Sequence, residues 1–151
     1  MKLYESVETN AYDAYVRLSN IYGWDKDKAN CFLGKGTRLH ASFADKTRKR
    51  GIWFIAYSNL SNYQPDFPLN WTNGIEGKDN ETLHLYYLAN GKKLRKDIEG
   101  FTGENTNADD RCERIVFVKD GTDTYRFYGV YAIHDEPSIN HRIYKRIADE
   151  I

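Results

Sequence analysis

Asp66, Glu76 and Lys78 follow one another in an order that phosphodiester cleavage can use. Two carboxylates would hold a divalent cation, and a lysine two positions after the second would place the attacking water. Cleavage needs charge neutralised at the scissile phosphate, which a metal held this way provides. Glu76 and Lys78 could serve one site only if they share a face, as alternate residues of a strand do. Their neighbours Asn73, Gly74, Gly77, Asp79 and Asn80 instead predict a turn.

A second set of residues suits binding without turnover. A pocket for a base taken out of the stack needs flat aromatic walls, polar groups for the base edge, and cations around the mouth for backbone phosphates. Trp53, Tyr57 and Trp71 supply rings, and Asp66, Asn70 and Asn73 supply polar groups. Arg48, Lys49, Arg114, Lys119 and Arg126 supply cations. Each has a structural use as well: Trp53 lies in an apolar run that a core would bury, and Arg126 on a strand suits a cross-strand ion pair. Trp71 falls in a proline- and asparagine-rich stretch, where a tryptophan either plugs a core edge or faces a ligand.

Other chemistries find less support. The four histidines, His40, His84, His134 and His141, form no short-spaced pair, so structural roles are expected for them. Cys31 and Cys112 show no metal-ligand spacing, and no partnered base marks either as a nucleophile. No cofactor is called for, and the base-binding reading needs no metal.

The 151 residues fit one domain over 1–151, with a core that buries roughly 70% of the unfolded surface. Lysine plus arginine, 22, equals aspartate plus glutamate, 22, which argues against a protein that coats nucleic acid through gross charge. Basic residues do cluster locally, at Lys46, Arg48, Lys49 and Arg50, at Lys92, Lys93, Arg95 and Lys96, and at Arg142, Lys145 and Arg146. Twelve tyrosines, seven phenylalanines and three tryptophans favour strands and flat binding surfaces. No run approaches membrane-spanning length and no charged leader precedes an apolar stretch, so a reduced, cytoplasmic protein without membrane contact is expected.

The elements that would position these residues begin with a short amphipathic helix at 10–22, capped by Thr9 or Asn10 and ended by Gly23. The apolar run at 51–57 predicts a buried central strand carrying Trp53, Ile55 and Tyr57 on one face. Residues 58–77 predict a long loop, 82–88 a strand, and 101–111 a second loop. Strands at 114–119 and 125–133, joined through 120–124, predict a hairpin. There, period two sets Tyr125, Phe127, Gly129, Tyr131 and Ile133 on one face and Arg126, Tyr128, Val130 and Ala132 on the other. A turn at Asp135, Glu136 and Pro137 and a last strand at 141–147 complete an α+β pattern with no repeat and no glycine-rich βα turn.

The hairpin wording Tyr125-Arg126-Phe127-Tyr128-Gly129-Val130-Tyr131, preceded by a basic strand and a polar turn, resembles the motif that names the SRA/YDG family. That resemblance implies a PUA-like fold, a strongly curved mixed sheet or small β-barrel with an N-terminal helix. It also implies recognition of nucleic acid carrying modified bases, DNA before RNA. Tyr128 stands where the family motif has an acidic residue, so no base contact carries over to it. The run 51–55 ahead of 114–131 is also similar to the modification-sensing modules attached to bacterial HNH-type restriction endonucleases, which implies restriction-modification and a separate nuclease subunit as partner. Asp66, Glu76 and Lys78 resemble the PD-(D/E)xK nuclease pattern, the alternative function. A protein-interaction or regulatory domain using the aromatic surface is the third reading.

Overall fold

Asn10 opens α1, Ala11–Tyr22, with its side-chain oxygen accepting a hydrogen bond from the Asp13 amide at 2.8 Å. This satisfies one of the donors that a first helical turn leaves without a partner. Ala11, Ala14, Tyr15, Leu18 and Ser19 are buried, the stripe expected of one helix face, and Gly23 caps the end as the sequence predicts. The computed structural model describes residues 1–31, 45–56, 69–89, 92–93, 112–119, 121, 123–138 and 141–151. Among the described residues no helix is long and apolar enough to cross a membrane.

Among the described residues seven strands form one mixed sheet: β1 (Arg50–Ala56), β2 (Leu69–Glu76), β3 (Thr82–Ala89), β4 (Lys92–Lys93), β5 (Glu113–Lys119), β6 (Arg126–Ser138) and β7 (His141–Ala148). Their order is β1-β5-β6-β7-β3-β2, with β4 also paired to β3. β1 and β5 are parallel and the remaining pairs antiparallel. One N-terminal helix on a mixed sheet is the α+β arrangement that the sequence predicts.

Both faces of the sheet carry apolar cores. Ile52, Phe54, Ile115, Phe117, Phe127 and Val130 join the buried side of α1 and Trp24 on one face. Trp53, Ile55, Ile75, Leu83, Val116, Val118, Tyr128, Tyr131 and Tyr144 form a second cluster on the other. Alternate residues of β1 thus enter opposite clusters, which explains the unbroken apolar run. The expectation that β1 is central needs correction: among the described strands it stands at one end of the order. Its burial comes from the two layers flanking it, and each large side chain so buried stabilises the fold by roughly 1.5–3 kcal/mol.

The strict alternation expected in β6 also needs correction. Val116 pairs with Gly129 but Phe117 pairs with Phe127, so Tyr128 is an extra residue in the ladder. This β-bulge reverses the parity beyond it. Phe127 and Val130 lie on the helix face, whereas Tyr128 and Tyr131 enter the opposite cluster. Gly129 sits at φ +112°, and a β-carbon there would meet the Ala148 carbonyl oxygen and the Arg146 Cδ at 2.8 Å each.

The turn expected at Asp135, Glu136 and Pro137 is instead the far end of β6, where register shifts flank Asp135 in its pairing with β7. A strand accommodates proline at such irregularities. The N-terminal residues, to which the sequence assigned no element, bond along the start of β6. The Tyr4 amide donates to the Phe127 carbonyl at 2.6 Å, and the Val7 amide to the Tyr125 carbonyl at 2.9 Å.

Candidate nucleic-acid interface

Trp53, the first predicted ring, projects from β1 away from α1 and is 7% exposed. Its indole meets the Tyr144 ring edge-to-face with centroids 5.8 Å apart. The Arg114 guanidinium carbon lies 5.7 Å from the Trp53 ring centroid, a cation–π arrangement. Arg114 is itself 4% exposed, because it shares with Val116 and Val118 the Trp53 side of a strand buried on both faces rather than flanking the hairpin in solvent.

Trp71, Asn70 and Asn73 do not lie in a loop. They belong to β2, which pairs with β3 over its whole length, placing Trp71 opposite Tyr87 and Asn73 opposite Leu85. Farther along β2, the Ile75 side chain joins the Trp53 cluster. Composition concealed this strand, since asparagine and glycine disfavour sheets and only the ladder to β3 supplies the compensating pairing. Tyr57 and Asp66 lie outside the described residues.

The predicted cations divide between two ends of the sheet. Arg48 and Lys49 are exposed in the turn before β1, at the end where Arg114 pairs with Gly51. Their neighbours in that basic run have local partners: Lys46 pairs with Asp25 at 3.0 Å and Arg50 with Asp45 at 2.7 Å. Lys119 and Arg126 sit at the other end of β5 and β6, roughly 17 Å from Arg114 at about 3.3 Å per residue. There the Lys119 Nζ donates to the Thr9 carbonyl at 2.6 Å, and the Arg126 guanidinium lies over the Tyr4 ring at 5.2 Å. Both therefore tie the N-terminal segment to the sheet.

Of the nuclease set, Glu76 ends β2 and Lys78 begins a 3-10 turn, Lys78–Asn80, with Gly77 at φ +86° between them. They do not share a strand face; the turn read from composition over Asn73 to Asn80 begins only at Gly77, since Asn73 to Glu76 belong to β2. Among the described residues no group of three or more histidine, cysteine, aspartate or glutamate side chains could hold a metal ion.

One polar assembly escaped sequence reasoning. The Arg146 side chain crosses Gly129 and donates from Nε to the Tyr128 carbonyl at 2.8 Å and from Nη2 to the Asp79 carbonyl at 2.6 Å. Nη2 also lies 3.3 Å from the Asn80 carbonyl and from the Tyr131 hydroxyl. The Tyr131 hydroxyl in turn donates to the Asn80 carbonyl at 2.6 Å. Burial pushes the Tyr131 phenol up to about 12, against the lowering pull of the Arg146 charge. The alternation of basic and apolar residues in β7 held a clue, for Arg146 has the parity of the buried Tyr144. Beside this assembly, Lys78, Asp79, Glu81, Arg146 and Asp149 line an open cleft of about 260 Å³. Its mixed charge does not suit a phosphate.

No known family profile matches the chain, and no curated protein matches it. Among solved structures it is similar to the 5-hydroxymethylcytosine-specific restriction enzyme AbaSI, at 24% identity and a TM-score of 0.49. That match covers 85% of this chain and 38% of the enzyme.

Proposed function

We propose that residues 1–151 form one PUA-like, non-catalytic nucleic-acid-binding module that reads a modified or extruded base in DNA on the sheet face opposite α1. The observation that carries this reading is the meeting of Trp53 and Tyr144. Their strands stand three apart in the sheet order, and neighbouring strands lie about 4.8 Å apart, so a flat sheet would separate them by roughly 14 Å. Ring centroids 5.8 Å apart mean that both side chains lean toward one another across β5 and β6, an arrangement that a sheet curled toward this face would ease. A pocket for an extruded base stacks it between aromatic or apolar side chains, which this face supplies.

In this reading Trp53, backed by Arg114, is the pocket floor, and Trp71 is the ring on which the base stacks. Asn73 recognises the base edge, with Tyr57 and Asp66 completing the rim. Arg48 and Lys49 meet the backbone phosphates at the Arg114 end, while Lys119 and Arg126 contribute to the field from the far end. Cleavage, where it accompanies recognition, belongs to a separate nuclease subunit of a restriction-modification system.

A fluorescence titration tests this, following intrinsic tryptophan against short oligonucleotides with unmodified, 5-methylated, hydroxymethylated or glucosylated cytosine at low and moderate salt. Quenching should depend on the modification and disappear in Trp71→Ala, while binding to any oligonucleotide weakens with salt. Absence of binding to all of them at low salt would refute the function.

A further inference from the structure

The residues joining β2 to β3 adopt a conformation that the turn does not sustain alone. Gly77, Asp79 and Asn80 all have positive φ, at +86°, +56° and +57°. Aspartate and asparagine tolerate this region better than most residues, yet two in succession persist only where surrounding contacts over-determine them. Those contacts come from three distant parts of the chain. Arg146 of β7 and Tyr131 of β6 hold the Asp79 and Asn80 carbonyls as described, and the Tyr4 hydroxyl donates to the Asp79 carbonyl at 3.0 Å. The Arg146 amide also donates to the Glu81 carbonyl at 2.9 Å.

The assembly has room because position 129 lacks a β-carbon, and direction because the guanidinium presents a rigid fork of donors. A lysine could satisfy one carbonyl but could not span from Tyr128 to Asp79. Among the described residues, β2 is joined to the sheet through β3 alone, and β3 through β7 over Thr82 to Tyr86. The turn contacts therefore extend the β3–β7 attachment from Thr82 back through Glu81 to the bend of the β2–β3 hairpin.

We propose that Arg146 is a positioning residue for base recognition: by clasping the Asp79–Asn80 turn it fixes the β2–β3 hairpin, the element that carries Trp71 and Asn73, relative to β6 and β7. This rests on the base-reading function proposed above. Arg146 contacts no base in this role and acts through the backbone it holds. Its loss should therefore reduce discrimination between bases more than it reduces affinity for unmodified DNA.

The test compares wild type with Arg146→Met and Arg146→Lys, measuring affinity for hydroxymethylated and unmodified oligonucleotides together with amide hydrogen exchange. In R146M the ratio of the two affinities should fall about tenfold, equivalent to loosening the recognition geometry without removing its contacts. Exchange in β2 and β3 should accelerate by about tenfold or more while β5 and β6 keep their protection, the pattern of local opening. R146K should lie between, and keeps the test decisive if R146M folds poorly. An unchanged affinity ratio in a wild type that discriminates would refute the positioning role alone, as would equal acceleration of exchange in both hairpins. A wild type that treats all the oligonucleotides alike would refute the base-reading function and this role with it.

Discussion

Replacing Gly129 with alanine should be among the most damaging single-methyl additions in this protein. The new β-carbon would stand 2.8 Å from the Ala148 carbonyl oxygen and 2.8 Å from the Arg146 Cδ and Nε, at a backbone φ of +112°. Arg146 is a flexible side chain and can retreat, at the expense of its bonds to the turn. The Ala148 carbonyl cannot retreat as easily, since Ala148 pairs with Val130 in the β6–β7 ladder. Holding alanine at this φ costs roughly 1–3 kcal/mol. Overpacking against a fixed neighbour adds about 1–3 kcal/mol. A destabilisation near 3 kcal/mol is a large part of the roughly 5–15 kcal/mol that a domain has. For a chain of this length it should lower Tm by about 6–12 °C. Urea unfolding followed by both tryptophan fluorescence and far-ultraviolet circular dichroism would measure it, with coincident curves as the check on two-state behaviour. Gly121→Ala is the internal control, because its φ is also positive, +94°, while nothing among the described residues lies within 4 Å of the added carbon. It should show the backbone cost alone. If G129A were no less stable than G121A, the close approach of β7 to the bulge would play no part in stability.

Two further outcomes follow from the charges. Replacing both Arg48 and Lys49 by alanine should weaken all oligonucleotides alike and reduce the slope of log affinity against log salt by about 2, with a slope unchanged from wild type removing these residues from the phosphate contacts. For Tyr131, the folded pKa of about 12 lies above the ordinary value of 10.0, so the fold favours the protonated phenol. The associated stability is whole below pH 10 and is lost as pH rises toward 12, about 2–3 kcal/mol in all. Tyr22 and Tyr125 are raised by burial and add the same sign, so the difference between wild type and Tyr131→Phe isolates the one group. Urea midpoints at about pH 9 and about pH 11 should fall less steeply in Y131F, and parallel declines would show that Tyr131 does not titrate in this window.

The helix was legible in the sequence to within a residue because its signals are local: Asn10 caps it, a stripe from Ala11 to Ser19 buries one side, and Gly23 ends it. β3, β5 and β7 were legible for the same reason, as runs of strand-forming residues between breakers. β2 was not, because Asn70, Asn73 and Gly74 spell a loop until β3 lies alongside and satisfies their backbone groups. The apolar run of β1 announced burial on both sides but could not say which layers would cover it. Trp53 could be singled out from the sequence, but its neighbours Arg114 and Tyr144 come from distant strands, and only the sheet order joins them. Period two sorted the faces of β6 correctly up to Tyr128 and wrongly beyond it, since a bulge is a property of two paired strands. The fork of Arg146 reaching over Gly129 to the turn at Asp79 depends on three registers at once, and no local pattern encodes it. Caps and periodicity act within a few residues and can be read from the chain. Register, bulges and the meetings of side chains across strands arise from pairing between distant segments, and the tertiary structure alone decides them.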